Sequence, residues 1–289
     1  MGLAPPAARE GWVVTSVIRR VDLHMHSDRS DGRYPPDEVL RRAAAGGLDL
    51  IALTDHDLPT TLPLGPCWVD GRAIHVLAGA EISGEHAGHE YHLLVYFEGA
   101  VPEDFSTFCR QRAQARAERY DAAVGSLGFR GLASADDTAH QGERSLTRHH
   151  LARALVAAGH ALDLRDAFRR YTGNQGHVPA FDLSFVDAIR IARAAGGFTS
   201  WAHPPMSALQ AHGATFVAAG LQAIEGIRPS LSGEERRRLR RESERLGVMI
   251  TGGSDWHGYH DGEPGLFAID APTVAPFLRA MALLPPAVA

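Results

Sequence analysis

The chain has 289 residues, 45% of them hydrophobic, enough to bury a substantial core in one elaborated domain. A formal charge of -5 gives no global basic footprint of the kind that grips duplex DNA. No run reaches the roughly 18 apolar residues of a membrane span, the two cysteines (Cys67 and Cys109) form no C-x-x-C pair, and the N-terminus lacks a secretory pattern, so the expected setting is cytoplasmic.

In chain order, the β-branched run "WVVTSVIRRVDL" predicts a first strand that ends in "HMHSDRSDG". Residues i and i+2 of a strand share a face, so His24 and His26 aim their rings at one point while Leu23 and Met25 pack the other way. "PPDEVLRRAAAGG" predicts a helix, with prolines and acids at its start and glycines at its end. Then "LDLIALTDHD", "AIHVLAGAEIS" and "HEYHLLVYF" predict a second, third and fourth strand, each ending in polar chemistry.

From 99 to 179 the pattern turns helical in "EDFSTFCRQRAQARAERYDAAVGSLGF", "TRHHLARALVAAGH" and "LRDAFRRYTG", which predicts a helical insertion. Residues 12–98 and 180–289 would then form the main domain. Alternation resumes with "SFVDAIRIARAAGG", "FTSWAHP", "TFVAAGLQAIEGI", "SGEERRRLRRESERLG" and "VMITGGSDWHG". About seven strands in strand–helix units close most simply into a parallel α/β barrel with right-handed crossovers. The run "EERRRLRRESER" places acids at helical spacing from its arginines, which predicts a solvated helix face rather than a nucleic-acid patch.

The sixteen histidines are an excess, and several fall at predicted strand ends. His24, His26 and Asp31 follow the first strand, His56 the second and Glu81 the third; His92 lies within the fourth, His203 ends the next, and Asp255 with His257 ends the last. In a parallel barrel the C-terminal strand ends meet at one face, where such folds carry their active sites. Nine imidazole and carboxylate ligands exceed the needs of one ion and suit two or three divalent metals, with one carboxylate bridging. The absence of thiolates at those positions favours manganese, iron or zinc. No H-E-x-x-H, G-x-S-x-G or P-loop pattern is present.

The motifs "DLHMHSDRSDG", "GLDLIALTDHD", "AGAEIS", "HLLVYF", "WAHP" and "GGSDWHG" resemble, in that order, those of the polymerase and histidinol phosphatase (PHP) family of metal-dependent phosphoesterases. "SLTRHHLARALVAAG" and "AFRRYTGNQGHVP" resemble the insertion of the subgroup acting on 3',5'-bisphosphonucleotides and RNA 5' ends. The resemblance implies a distorted seven-stranded TIM-like barrel and a trinuclear centre. His24, His26, Glu81 and Asp255 would hold one ion. Glu81 would bridge to a second held with His92 and His203, and Asp31, His56 and His257 would hold the third. It also implies a phosphorylated nucleotide or short single-stranded RNA as partner, with Arg148 and His150 as phosphate anchors, His177 a further contact, and Asp37 either a substrate contact or a helix-dipole acid. The expected reaction is attack on phosphorus by a hydroxide bridging two metals. Departures are Ser27 where threonine is usual, His177 where tyrosine is usual, and Pro205-Met206 after "AHP". Histidinol phosphate is the rival substrate and a non-catalytic metal-binding scaffold the rival class. An amide- or lactone-hydrolysing barrel would want a metal-bridging lysine, and the chain has none.

Overall fold

The first strand, β1 (Arg20–Met25), is buried along nearly its whole length and pairs in parallel with β2 (Leu50–Leu53) after the helix α1 (Pro36–Ala45). The computed structural model describes residues 17–173, 177–259 and 262–286. Residues 12–16 of the first predicted strand, and the N-terminal segment read for targeting, lie outside the described residues. No helix among the described residues is long and apolar enough to cross a membrane.

β2 pairs in parallel with β4 (Arg72–His86), and β4 also forms a hairpin with β3 (Gly65–Val69). β5 (His89–Phe97) then runs antiparallel to β4 and to β6 (Phe198–Trp201). Here the structure corrects the wholly parallel expectation. Only Ala87 and Gly88 join β4 to β5, at φ of 52° and 78°, and a two-residue turn with both φ positive makes a hairpin, never a crossover.

Parallel pairing returns with β7 (Ala223–Ile227) and β8 (Met249–Gly252), separated by α7 (Met206–Ala219) and α8 (Gly233–Leu246). The sheet runs β8-β7-β6-β5-β4-β2-β1, and β9 (Ile269–Asp270) adds antiparallel to the start of β1. The chain just beyond β8 meets β1 through Asp255 N–H to His24 O and His26 N–H to Trp256 O, both 2.9 Å. This nearly closes a barrel at the end that carries the histidines. Gly253 permits it, because a Cβ there would overlap His24. Across the interior, the buried Tyr96 hydroxyl donates to Leu23 O at 2.8 Å.

Between β5 and the helix α6 (Phe185–Ala194) stand α2 (Glu103–Leu127), α3 (Asp137–His140), α4 (Arg148–Ala157), α5 (Leu164–Ala167) and a π-helical segment, Phe168–Thr172. They pack on their own cluster around Leu151, Leu155 and Ala123. They are also tied to the barrel by polar contacts: Ser145 N–H to Arg29 O at 2.8 Å, and the buried Arg116 to Asp57 and to Ser83 Oγ. A short α9 (Ala275–Ala280) covers the far end, where Phe277 packs on Tyr96 and Phe198.

Candidate metal centre

Glu81, 1% exposed, lies in the middle of β4 and is the hub of the site. One of its oxygens lies 3.4 Å from His24 Nε2 and 3.2 Å from both His92 Nδ1 and His203 Nε2; the other lies 3.4 Å from His26 Nε2 and 3.1 Å from His56 Nδ1. Asp255 Oδ1 is 3.3 Å from the Nε2 atoms of both His24 and His26. Asp31 reaches His257 at 3.2 Å and His56 at 3.6 Å. All nine side chains singled out at the strand ends are brought together. Among the described residues, three groups have donor atoms close enough to surround one ion: His24, His26 and Glu81; His56, Glu81 and His92; and His26 with Asp31, His56 and His257.

The donor set fits metal. Ligands about 2.1 Å from a shared ion stand roughly 3 to 4.2 Å apart, the spacing seen throughout this cluster. Asp31 Oδ1, Glu81 Oε2 and His56 Nδ1 are buried without a hydrogen-bond partner, though buried polar atoms are normally satisfied. His24 Nε2 faces His26 Nε2 at 3.1 Å, so two ring nitrogens converge on one point.

The backbone is bent to serve the site. His203 and Asp255 hold φ of 33° and 57°, and Asp57, next to His56, holds 51°. Such left-handed conformations are disfavoured for side-chain-bearing residues and persist where surrounding contacts over-determine them. For Asp57 those contacts are its N–H to Glu81 O at 2.8 Å, Ser83 N–H to its Oδ1 at 3.1 Å, and the Arg116 guanidinium.

Two outer carboxylates orient the rings. Glu225, fully buried on β7, lies 3.0 Å from His24 Nδ1 and accepts His203 N–H at 2.8 Å. Glu90 on β5 lies 3.1 Å from His92 Nε2. A carboxylate on one imidazole nitrogen fixes the tautomer that leaves the other free for metal. Asp55 similarly holds the loop after β1, accepting from Ser27 N–H and Oγ and from Ser30 Oγ.

Electrostatics follow from the packing of acids against rings. Burial opposes protonation of His92 and His257, but Glu81 and Asp31 respectively outweigh it and hold both up at about 10; Glu81, Asp255 and Glu225 likewise hold His24 well above its ordinary value. Burial would raise the Asp31, Glu81 and Asp255 carboxyls, yet the surrounding histidines hold them well below the usual range. A ligand imidazole must be neutral, so metal uptake at pH 8 displaces protons from His92 and His257, with His24, held up by the same kind of neighbours, adding to the release, and affinity rises with pH towards 10. Calorimetric titration with Mn²⁺ in buffers of different ionisation enthalpy measures this release. Metal uptake with no proton release at pH 8 would remove His92 and His257 from the ligand set.

The residues expected to contact substrate are placed differently from one another. A cleft of about 190 Å³ opens over the cluster, lined on the side of α2 and α4 by Arg116, Thr147, Arg148, His149 and Phe168. Arg148 stands there, 3.5 Å from Glu90. His150 is a correction: Thr147 is the N-cap of α4, and the His150 Nδ1 accepts the Thr147 N–H at 3.0 Å in a capping box, with burial pushing its pKa down to about 4. Its neighbour His149 faces the site instead, stacked 6.1 Å from His257. His177 packs beside Tyr171 and does not line this cleft. Asp37 is exposed in the first turn of α1, 3.6 Å from Arg41, where it acts as a helix-dipole acid rather than a site residue.

A barrel whose end gathers buried histidines and carboxylates beneath arginines could hold metal and receive an anionic ligand. Comparison with known proteins specifies the class. Residues 22–159 match the PHP domain family model. A 3',5'-nucleoside bisphosphate phosphatase of Chromobacterium violaceum is 32% identical over 255 residues, 85% of this chain and 90% of that one. A 5'-3' exoribonuclease of Salmonella typhimurium is 31% identical over 252 residues, covering 82% and 84%. A solved structure from Bifidobacterium adolescentis, with the working description of a metal-dependent phosphoesterase, superposes with a TM-score of 0.69 at 27% identity, covering 90% and 95%. The chain belongs to the PHP family and is a metal-dependent phosphoric ester hydrolase.

Proposed function

We propose that the protein hydrolyses phosphate esters of nucleotides, 3',5'-bisphosphonucleotides or short RNA 5' ends, using two or three divalent ions, manganese above all. The observation that carries the reading is the arginine-rim cleft directly over the nine-residue cluster, in a chain whose relatives bear nucleotide-phosphatase and exoribonuclease names. His24, His26, Glu81 and Asp255 would hold one ion, Glu81, His92 and His203 a second, and Asp31, His56 and His257 a third, with His26 near enough to serve the third group as well. Bound ions there would supply Lewis acidity and an activated water for in-line displacement at phosphorus.

The chain's own contribution is positioning. Arg148 presents a planar guanidinium suited to two phosphate oxygens and is held at the cleft by Glu90, the same carboxylate that orients His92. Glu90 is itself kept ionised, well below the usual carboxylate range, by His92, Arg148 and Arg116 against the opposing effect of burial. Substrate phosphate arriving at Arg148 therefore meets a site whose charges are already fixed. Arg148→Ala is expected to raise KM for phosphorylated substrates about tenfold with a smaller change in kcat, the loss of one charge-assisted contact. Unchanged kinetics would return Arg148 to a structural role.

The direct test is product release by manganese-loaded protein from 3',5'-adenosine bisphosphate, AMP, a short 5'-phosphorylated RNA and histidinol phosphate. Turnover of the bisphosphate or the RNA supports the nucleotide reading. Turnover of histidinol phosphate alone overturns it.

A further inference from the structure

The helix α8 carries six arginines against four acids, a net positive charge. Glu235 is committed to a capping box with Ser232, and Glu242 to Arg245 at 2.5 Å. Among the described residues, Arg236, Arg237, Arg238, Arg240 and Arg241 have no carboxylate within ion-pair distance, and all five are exposed. Residues 236 and 240, and 237 and 241, lie one turn apart, so four of these guanidinium groups form a continuous stripe along the helix.

The stripe borders a cavity of about 330 Å³ between the first turns of α8 and strands β7, β8 and β9. Ile227, Ile250 and Phe267 line its apolar part, while Arg236, Arg237 and Arg240 supply positive charge against the single carboxylate of Asp270. Arg236 Nη2 also donates to Arg228 O at 2.9 Å, which fixes one edge of the stripe on the segment after β7.

We propose that this face is a track for the sugar-phosphate backbone of a single-stranded RNA, holding nucleotides that lie beyond the one in the metal cleft. The inference rests on the nucleotide reading above and extends it to nucleotides that lie outside the 190 Å³ cleft. Guanidinium groups engage successive phosphates, and apolar surface beside them accepts sugars and bases without selecting sequence. An acidic protein would use the charges but has no need of the apolar cavity.

The test is the triple variant Arg236→Gln, Arg237→Gln, Arg240→Gln, none of which touches the metal cluster. Affinity for a fluorescent 5'-phosphorylated oligoribonucleotide is measured by anisotropy across a salt series, with turnover of 3',5'-adenosine bisphosphate as control. Expected are about tenfold weaker RNA binding, a salt slope shallower by about 2 for three lost phosphate contacts, and unaltered bisphosphate turnover. Unchanged RNA affinity and slope, or no RNA binding by the parent protein, would overturn the track. So would polyglutamate binding as tightly as RNA and weakening equally in the variant. Because binding is read without hydrolysis, a protein that binds RNA through α8 but cleaves none of the nucleotide substrates would sink the catalytic reading and leave the track standing.

Discussion

Asp255→Asn is expected to lower kcat/KM by about 10³- to 10⁴-fold, or about 4 to 5 kcal/mol of transition-state stabilisation at 1.36 kcal/mol per decade, while the protein stays folded. Asp255 presents one oxygen to His24 and His26 at the same distance of 3.3 Å and lies 3.8 Å from His257, so its charge serves three rings at once. Asparagine keeps the shape and tolerates the left-handed backbone at φ 57°, whereas alanine would add strain there and confuse a stability loss with a chemical one. The change removes one anion from a cluster whose histidines it helps to balance, so bound metal measured by elemental analysis should fall along with turnover. Retention of most activity with full metal content would remove Asp255 from the centre.

The sequence carried this much of the site because strand geometry is a two-residue code. His24 with His26 declare themselves by that spacing; Asp255 and His257 lie beyond the end of β8, with Asp255 at φ 57°, so the turn of that segment rather than strand alternation brings them to the same point. The orienting carboxylates were harder to see. Glu225 interrupts the apolar run "AIEGI" of a buried strand, and a lone acid in such a run is itself a signal that something must neutralise it. Glu90 sits two residues before His92 on the same strand face, yet it reads as an ordinary hairpin acid. The choice between His149 and His150 turned on a cap: once Thr147 starts α4, position 150 is the one whose side chain returns to the backbone, and 149 is left to face the cleft. Two turns decided the sheet. Asp70-Gly71, with φ of 49° and 81°, makes the β3–β4 hairpin and so adds a strand to the expected set, and Ala87-Gly88 reverses β5. Asp-Gly is among the strongest short hairpin signals; Ala-Gly is weak, so the second reversal was concealed by composition.

Arg116→Ala is expected to destabilise the protein by about 3 to 5 kcal/mol, the loss typical of removing one partner of a buried ion pair. Arg116 is 3% exposed and Asp57 fully buried, and the arginine also donates to Ser83 Oγ at 2.6 Å and to Leu146 O at 3.3 Å. Alanine would leave the Asp57 carboxylate with only its backbone donor from Ser83 and would open a cavity beneath α2. The pair Arg116→Met with Asp57→Asn removes both charges while keeping volume, and should recover a good part of the loss, so the coupling between the two positions is large. Urea denaturation of the metal-free protein measures both. A loss under about 1 kcal/mol for Arg116→Ala would show that the carboxylate finds another partner. The consequence reaches the centre, because Asp57 follows His56 and its N–H is bonded to Glu81 O. Loosening it should weaken metal binding by about 10- to 100-fold, the scale on which supports of ligands act. The Arg116–Asp57 contact, one of those that fasten the helices between β5 and α6 to the barrel, therefore also helps to hold the hub of the site in place.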